Sequence, residues 1–325
     1  MTENQNLPDN TTPETEEYRY TTCTMKAFCA LDIPPREFLL YPVLAEKGLA
    51  MVYAERGVGK TFVALSMAMA IASGVDFMRF SSKKTCKVLY IDGEMSAWEM
   101  QERMKHLKSG FASMGVSINM DDIEIFSSDL QDWPIRNLST PDGQEVADNI
   151  VASNNIGCVI IDNISSLCSA SKENDADGWE PMQRWLIDLR RRKVSVLLVH
   201  HAGKGGNQRG TSKREDVLDT VISLKKRDGY HQKDGAKFNV VFEKSRAVHG
   251  NDVEAFQAML CPNQYGDGLI WTVSPIQSDN EKKVQAAGNK SVRKIAKETG
   301  MSKSTAQRMK KKLAKAEKIE EGAEF

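Results

Sequence analysis

One octapeptide limits what this chain can fold into more than any other feature: Ala54-Glu-Arg-Gly-Val-Gly-Lys60-Thr61, set between the apolar run Gly48 to Ala54 and the helix-prone stretch Lys60 to Ser73. It fits the pattern G-x-x-x-x-G-K-[ST] except at its first position, where Ala54 stands for glycine. A glycine turn between a buried strand and a helix aims several backbone N–H groups at one point, and the helix N-terminus adds the positive end of its dipole. Such a cradle suits a phosphate chain. Gly57 and Gly59 give the loop its freedom, Val58 and Phe62 belong to the same binding segment, Lys60 can reach the outer phosphates, and the Thr61 hydroxyl suits Mg²⁺. A chance glycine turn is the plainer reading, and the flanking strand and helix weigh against it.

The remaining pattern says what the cradle is built into. Four apolar runs, Gly48 to Ala54, Lys87 to Asp92, Cys158 to Asp162 and Val194 to His200, alternate with helical stretches. Strands that are apolar throughout and separated by helices indicate a parallel sheet covered on both faces. Beyond Val217 the runs become hairpin-like, with Val217 to Leu224, Phe238 to Glu243 and Leu269 to Val273 separated by Gly and Asp turns. The predicted fold class is therefore α/β, a mostly parallel sheet with C-terminal antiparallel strands, followed by a small all-α domain. Its domains are an acidic, loosely ordered arm over 1–33, a nucleotide-binding domain over 34–275, a linker over 276–288 and a helical domain over 289–325. Asp162, closing the third run, is placed to hold a metal at the C-terminal edge of the sheet on a strand next to the phosphate loop. Alternatively it caps the following helix.

Composition removes several classes. Hydrophobic residues make up 41% and charged residues 27% of 325, enough apolar surface for a real core, which excludes wholesale disorder. The longest apolar run, Phe62 to Ala72, is shorter than the roughly 18 to 20 residues of a membrane-spanning helix. Met1 to Glu17 is polar and acidic, without the apolar segment of a signal peptide, so the expected location is the cytoplasm, with no membrane partner. Six scattered cysteines form no C-x-x-C pair and read as reduced thiols. The net charge of zero conceals unlike parts: residues 1–20 carry five acids against Arg19, while residues 288–318 carry eleven bases against Glu298 and Glu317.

Further motifs follow in order along the chain: Glu94 in Tyr90-Ile-Asp-Gly-Glu-Met-Ser96 with Arg103 beyond it, then Leu197-Leu-Val-His-His201-Ala-Gly-Lys204-Gly, Gln208-Arg-Gly-Thr-Ser212, Asp219 ahead of an apolar strand, and Lys244-Ser-Arg246. Together with the phosphate loop they resemble, over residues 35–275, the RecA/DnaB-type ATPase core, and in particular the plasmid RepA-type hexameric replicative helicases. The resemblance implies ATP and Mg²⁺, with Glu94 as the general base that polarises the attacking water, His201 as the γ-phosphate sensor and Arg103 stacked on adenine. It implies too that Lys244 and Arg246 reach a neighbouring subunit's nucleotide, so that the working unit is a homo-oligomeric ring, a hexamer. On the same grounds the basic, glycine-rich loop carrying Lys204, Arg209, Lys213 and Arg214 lines the ring pore and grips single-stranded DNA. On residue chemistry alone, Glu94 can simply favour a helix N-terminus, the histidine pair can bind a metal, and Lys-x-Arg can decorate an exposed hairpin.

The basic C-terminal stretch carries a separate signal. Ile295 and Ala296 form the inner side of one helix, Gly300 permits a sharp turn, Ser302 caps a second helix, and Ala306, Met309 and Leu313 face inward. This resembles the helix-turn-helix of replication initiators and resolvases. The resemblance implies duplex DNA as a partner, with Lys303, Ser304, Thr305, Gln307 and Arg308 toward the major groove and Lys310, Lys311 and Lys312 on phosphates. A solvated, charged helix is the other reading. The function expected from all of this is an Mg-ATP-hydrolysing, DNA-dependent ATPase, a ring helicase of plasmid or phage replication. The alternative is a DNA-bound ATPase switch of the RadA/KaiC type that does not unwind. A small-molecule kinase would share the phosphate loop but leave the basic tail unexplained.

Overall fold

Each of the four apolar runs becomes a strand in which every residue is buried, and these strands are the middle of one large sheet. The structure, a computed structural model, describes residues 22–168, 177–203, 212–226, 235–276, 279–288 and 290–321. The chain divides into two units, Met1–Arg36 and Glu37–Phe325. In the first, the arm expected over 1–33 lies outside the described residues up to 21. Its described part holds one short helix, α1 (Met25–Cys29), whose N-cap Thr24 accepts the Ala27 N–H at 3.2 Å and which buries none of its residues.

The second unit opens with a small antiparallel pair, β1 (Phe38–Leu40) and β2 (Leu44–Ala45). There follow β3 (Leu49–Ala54), α2 (Lys60–Ser73), β4 (Val88–Asp92), α3 (Ala97–Ser113), β5 (Ile123–Ser127), α4 (Pro141–Ser153), β6 (Cys158–Asp162), α5 (Ile164–Leu167), α6 (Glu180–Arg191) and β7 (Ser195–His201). The hairpin-like region supplies β8 (Thr220–Lys226), β9 (Lys237–Ser245), β10 (Phe256–Pro262) and β11 (Leu269–Pro275). Nine of these strands form one sheet in the order β11-β10-β9-β8-β3-β7-β6-β4-β5. The pairs from β8 through β3 to β5 are parallel, while β8–β9, β9–β10 and β10–β11 are antiparallel. The fold class is thus the expected α/β one.

Strand alternation sorts the core into two layers. Ala50, Val52 and Ala54 join α2 and α3 on one face, and Leu49, Met51 and Tyr53 join α4, α5 and α6 on the other. Helix α2 is buried along almost its whole length, which explains why its sequence is apolar on all sides.

Two expectations are corrected here. Asp162 does not lie on a strand next to the phosphate loop, because β7 runs between β3 and β6. Spacing along a sequence fixes that a strand exists, whereas crossover connections leave its lateral place open. Second, the stretch expected as linker contains α7 (Asp279–Ala286), whose Val284 is buried against Ile295, Ala296 and Ala306. Those residues come from α8 (Val292–Thr299) and α9 (Lys303–Glu321), joined through Gly300 in the left-handed region at φ 71. Ser302 Oγ accepts the Thr305 N–H at 3.1 Å, and Met309 and Leu313 pack on the same small core. Among the described residues no helix is long and apolar enough to cross a membrane.

Candidate nucleotide site

At the C-terminal edge of β3 the chain turns through Glu55 to Gly59 into α2. Gly57 and Gly59 have φ of 75 and 112, a region closed to most side chains, and Gly59 occupies the N-cap of α2 with no side-chain partner for the first N–H groups. Ala54, the departure from the glycine pattern, is the last residue of β3, buried and without positive φ. An extended strand residue tolerates a Cβ, so a glycine has no work to do there; its carbonyl is what the site uses, accepting Lys60 Nζ at 3.2 Å. Val58 is fully buried under the loop. Lys60 Nζ also donates to the Glu55 carbonyl at 2.9 Å, and burial lowers its pKa to about 8 against the pull of Asp162 and Glu94.

The loop faces a cavity of about 680 Å³ lined by Lys60, Thr61, Asp162, Glu94 and His201, with Phe62 and Arg103 among its other walls. Asp162 is buried; burial raises its pKa, while hydrogen bonds from Tyr90 Oη (2.7 Å) and the Thr61 hydroxyl, with the Lys60 charge, oppose that. The Thr61 hydroxyl and the Asp162 carboxylate are hard oxygen donors facing each other at a helix N-terminus, the donor set that suits Mg²⁺. They would hold the ion, which neutralises charge on a bound phosphate chain. Glu94 Oε2 lies 3.6 Å from His201 Nε2. His201 is also 3.2 Å from Asn163 Nδ2, and burial first, then the Lys60 charge, lowers its pKa, so the imidazole is neutral at neutral pH. Arg103 places its guanidinium 4.8 Å from the Phe62 ring centroid, a flat surface suited to a base.

Five lining residues were not singled out from the sequence: Arg56, Asp92, Met95, Glu99 and Asn163. Asp92 had a signal, since it ends its apolar run as Asp162 does, and the two are register partners across β4 and β6. Its carboxylate accepts the Met95 N–H at 2.9 Å, fixing the turn that carries Glu94, and burial pushes its pKa up to about 6.

Other expected residues lie elsewhere. Lys244 Nζ donates to the Glu215 carbonyl and Arg246 Nη2 to the Asp216 carbonyl at 2.5 Å; neither lines the cavity of its own chain. Lys204 and Arg209, and the side chain of Lys213, lie outside the described residues. Arg214 is a correction: it is only 7% exposed, bonded to His200 at 3.0 Å and stacked on Trp179, so it is not available to grip DNA. The two histidines also point to opposite faces of β7, which removes the joint metal reading. Among the described residues no three or more His, Cys, Asp or Glu side chains gather into a metal group. On α9, Lys303, Ser304, Gln307, Arg308 and Lys311 are exposed, Thr305 is half-buried, and Lys310 Nζ donates to the Lys290 carbonyl at 2.8 Å.

A glycine cradle at a helix N-terminus, a lysine and a threonine behind it, and buried aspartates on the adjacent strands β4 and β6, with β7 inserted between β6 and the cradle strand β3, define a P-loop ATPase. The chain belongs to the AAA domain family, whose profile matches residues 14–207. No curated protein matches it in sequence. Among solved structures, a KaiC-like protein from the hyperthermophilic archaeon Pyrococcus horikoshii aligns with a TM-score of 0.48 at 16% identity, covering 72% of this chain and 93% of that one.

Proposed function

We propose that this P-loop ATPase hydrolyses Mg-ATP in a DNA-dependent manner as a homo-oligomeric ring, a hexamer that translocates on single-stranded DNA as a replicative helicase. The observation that carries the reading is the separation of parts. The cavity gathers phosphate cradle, base and sensor, whereas Lys244 and Arg246 are held at residues 215–216, away from it. That two cations are held off their own site supports the reading that they complete a neighbour's, where charge aimed at a transferring phosphoryl group is worth several powers of ten in rate.

In the chemistry, Glu94 takes a proton from water as the water oxygen bonds to the γ-phosphorus and the bond to the β-phosphate oxygen breaks, releasing ADP and phosphate. Neutral His201, between Glu94 and Asn163, reads whether the γ position is filled. The helix pair α8–α9, with Lys303, Gln307 and Arg308 exposed on a basic segment, supports a duplex-binding role for the C-terminal module. The test is steady-state ATPase activity with and without single-stranded DNA, run beside a light-scattering mass. Stimulation of a ring-sized species is expected. DNA-indifferent turnover by a monomer or dimer would overturn the motor and favour the DNA-bound switch.

A further inference from the structure

The last two residues of β7 project past β6, whose pairing ends at Asp162 opposite Val199, and among the described strands their ladder partners are Tyr53 and Ala54 of β3. Alternation sends His201 into the nucleotide cavity and His200 to the opposite face. There His200 Nε2 lies 3.0 Å from Arg214 Nη1. A guanidinium only donates, so Nε2 accepts and the ring is neutral with its proton on Nδ1. The same guanidinium lies 5.2 Å from the Trp179 ring centroid. His200, Trp179 and Arg214 are 1%, 3% and 7% exposed, so this is a buried charge held by specific partners.

Each partner sits at the end of a different connection. Trp179 ends the turn that leads into α6, and Arg214 lies in the 3-10 turn Ser212–Glu215. The carbonyls of Glu215 and of Asp216 just beyond it are the ones that take the Lys244 and Arg246 hydrogen bonds. One short segment therefore holds the sensor strand by its side chain and the two cations by its backbone.

We propose that Arg214 is a positioning residue that transmits the state of the nucleotide site, through His200 and the projecting end of β7, to residues 212–216 and so to Lys244 and Arg246. It rests on the reading of Lys244 and Arg246 given above. A shift at His201 moves its chain neighbour His200, and a neutral acceptor bonded to a buried guanidinium passes that shift on, because the guanidinium is pinned between it and the Trp179 ring.

The test compares hydrogen exchange of the full chain with and without a non-hydrolysable ATP analogue in wild type, Arg214→Met, Arg214→Lys and Trp179→Leu, each first checked for cooperative unfolding. In wild type, nucleotide should slow exchange both in the phosphate loop and in 212–216. In Arg214→Met and Trp179→Leu the loop should still be protected while the response at 212–216 is lost, and Arg214→Lys, which keeps a cation and a donor, should restore part of it. Basal turnover should stay within about twofold while stimulation by oligo-dT falls at least about fivefold, the size of an ordinary coupling between sites. A 212–216 response that is missing in wild type, or unchanged in a folded Trp179→Leu protein, overturns the proposal. Should Arg214→Met fail to fold, Trp179→Leu decides. If wild type shows no DNA stimulation, the DNA-dependent reading falls, and the exchange data still decide for or against the linkage.

Discussion

Glu94 Oε2 and His201 Nε2 stand 3.6 Å apart across the mouth of the phosphate cradle, and the imidazole is the neutral partner. A neutral histidine does not tie up the carboxylate in an ion pair, which leaves Glu94 free to accept a proton from water. Glu94→Gln keeps the shape and removes the basicity. Its kcat for phosphate release should fall by about 10² to 10⁴, with ATP affinity within a few-fold of wild type. Near-normal turnover would end the general-base assignment.

Lys60 carries a pKa lowered to about 8 because it is buried. A phosphate chain beside it favours the charged form, so at about pH 8.5 nucleotide binding should draw a proton onto the lysine. Calorimetry in two buffers of different ionisation enthalpy measures that uptake, which should shrink at about pH 7, where Lys60 is already charged. Lys60→Arg, permanently charged, should show none at either pH.

Asp92 offers a stability test whose sign is the reverse of an ordinary ion-paired carboxylate. Its folded pKa, about 6, exceeds the 3.8 of an ordinary aspartate, so the folded chain binds more protons between those values. Its contribution to stability therefore declines as pH rises through that window, and the full penalty is present above it. Asp92→Asn keeps an acceptor for the Met95 N–H and removes the charge. The variant should be more stable than wild type near neutral pH by at most about 3 kcal/mol, and the difference should vanish near pH 4. Paired denaturation curves at the two pH values decide it.

How much of this was legible beforehand depended on whether the deciding force was local. The phosphate loop and strands β3, β4, β6 and β7 could be read directly, because total burial writes continuous apolar runs and the glycines mark the turn. Edge strand β5 has no such run, since Ile123, Ile125 and Phe126 are interrupted by polar residues and only Ser127 of the strand is fully buried. Helix α7 reads as linker because, among its described side chains, Val284 alone is buried. Arg214 misled for a related reason. Lys213-Arg214-Glu215 has the composition of a solvated loop, and the burial of Arg214 beside Trp179 and His200 is a property of the assembled fold that composition does not carry. Pairing of β3 with β7 instead of β6 is likewise a property of the assembled sheet.

The two loop glycines should differ in sensitivity. A Cβ at Gly57 would meet nothing within 4 Å, so Gly57→Ala suffers only the strain of φ +75, about 1 to 2 kcal/mol. At Gly59 the added carbon would stand 2.6 Å from Ala236 Cβ as well as sitting at φ +112. Gly59→Ala should therefore lower Tm further and weaken nucleotide binding more than Gly57→Ala, both read by thermal unfolding with and without ATP. Equal effects would show that the contact with the β8–β9 connection does not shape the loop.

The sharpest test of the ring concerns Arg246, anchored at the Asp216 carbonyl and absent from its own cavity. If it acts on a neighbour's nucleotide, Arg246→Ala subunits retain intact cradles but lack the cation for the next site. Lys60→Ala subunits have the opposite defect, an intact Arg246 and a disabled cradle. Each alone should be inactive, with kcat reduced by about 10³ or more for the arginine variant. Mixed rings contain interfaces at which a sound cradle meets a sound Arg246, so mixing the two should restore a fraction of wild-type turnover that peaks near equal proportions. Rescue that depends on subunit exchange places the arginine across the interface. If mixtures stay as inactive as their components while a wild-type and Lys60→Ala mixture remains active, Arg246 acts within its own chain or not at all.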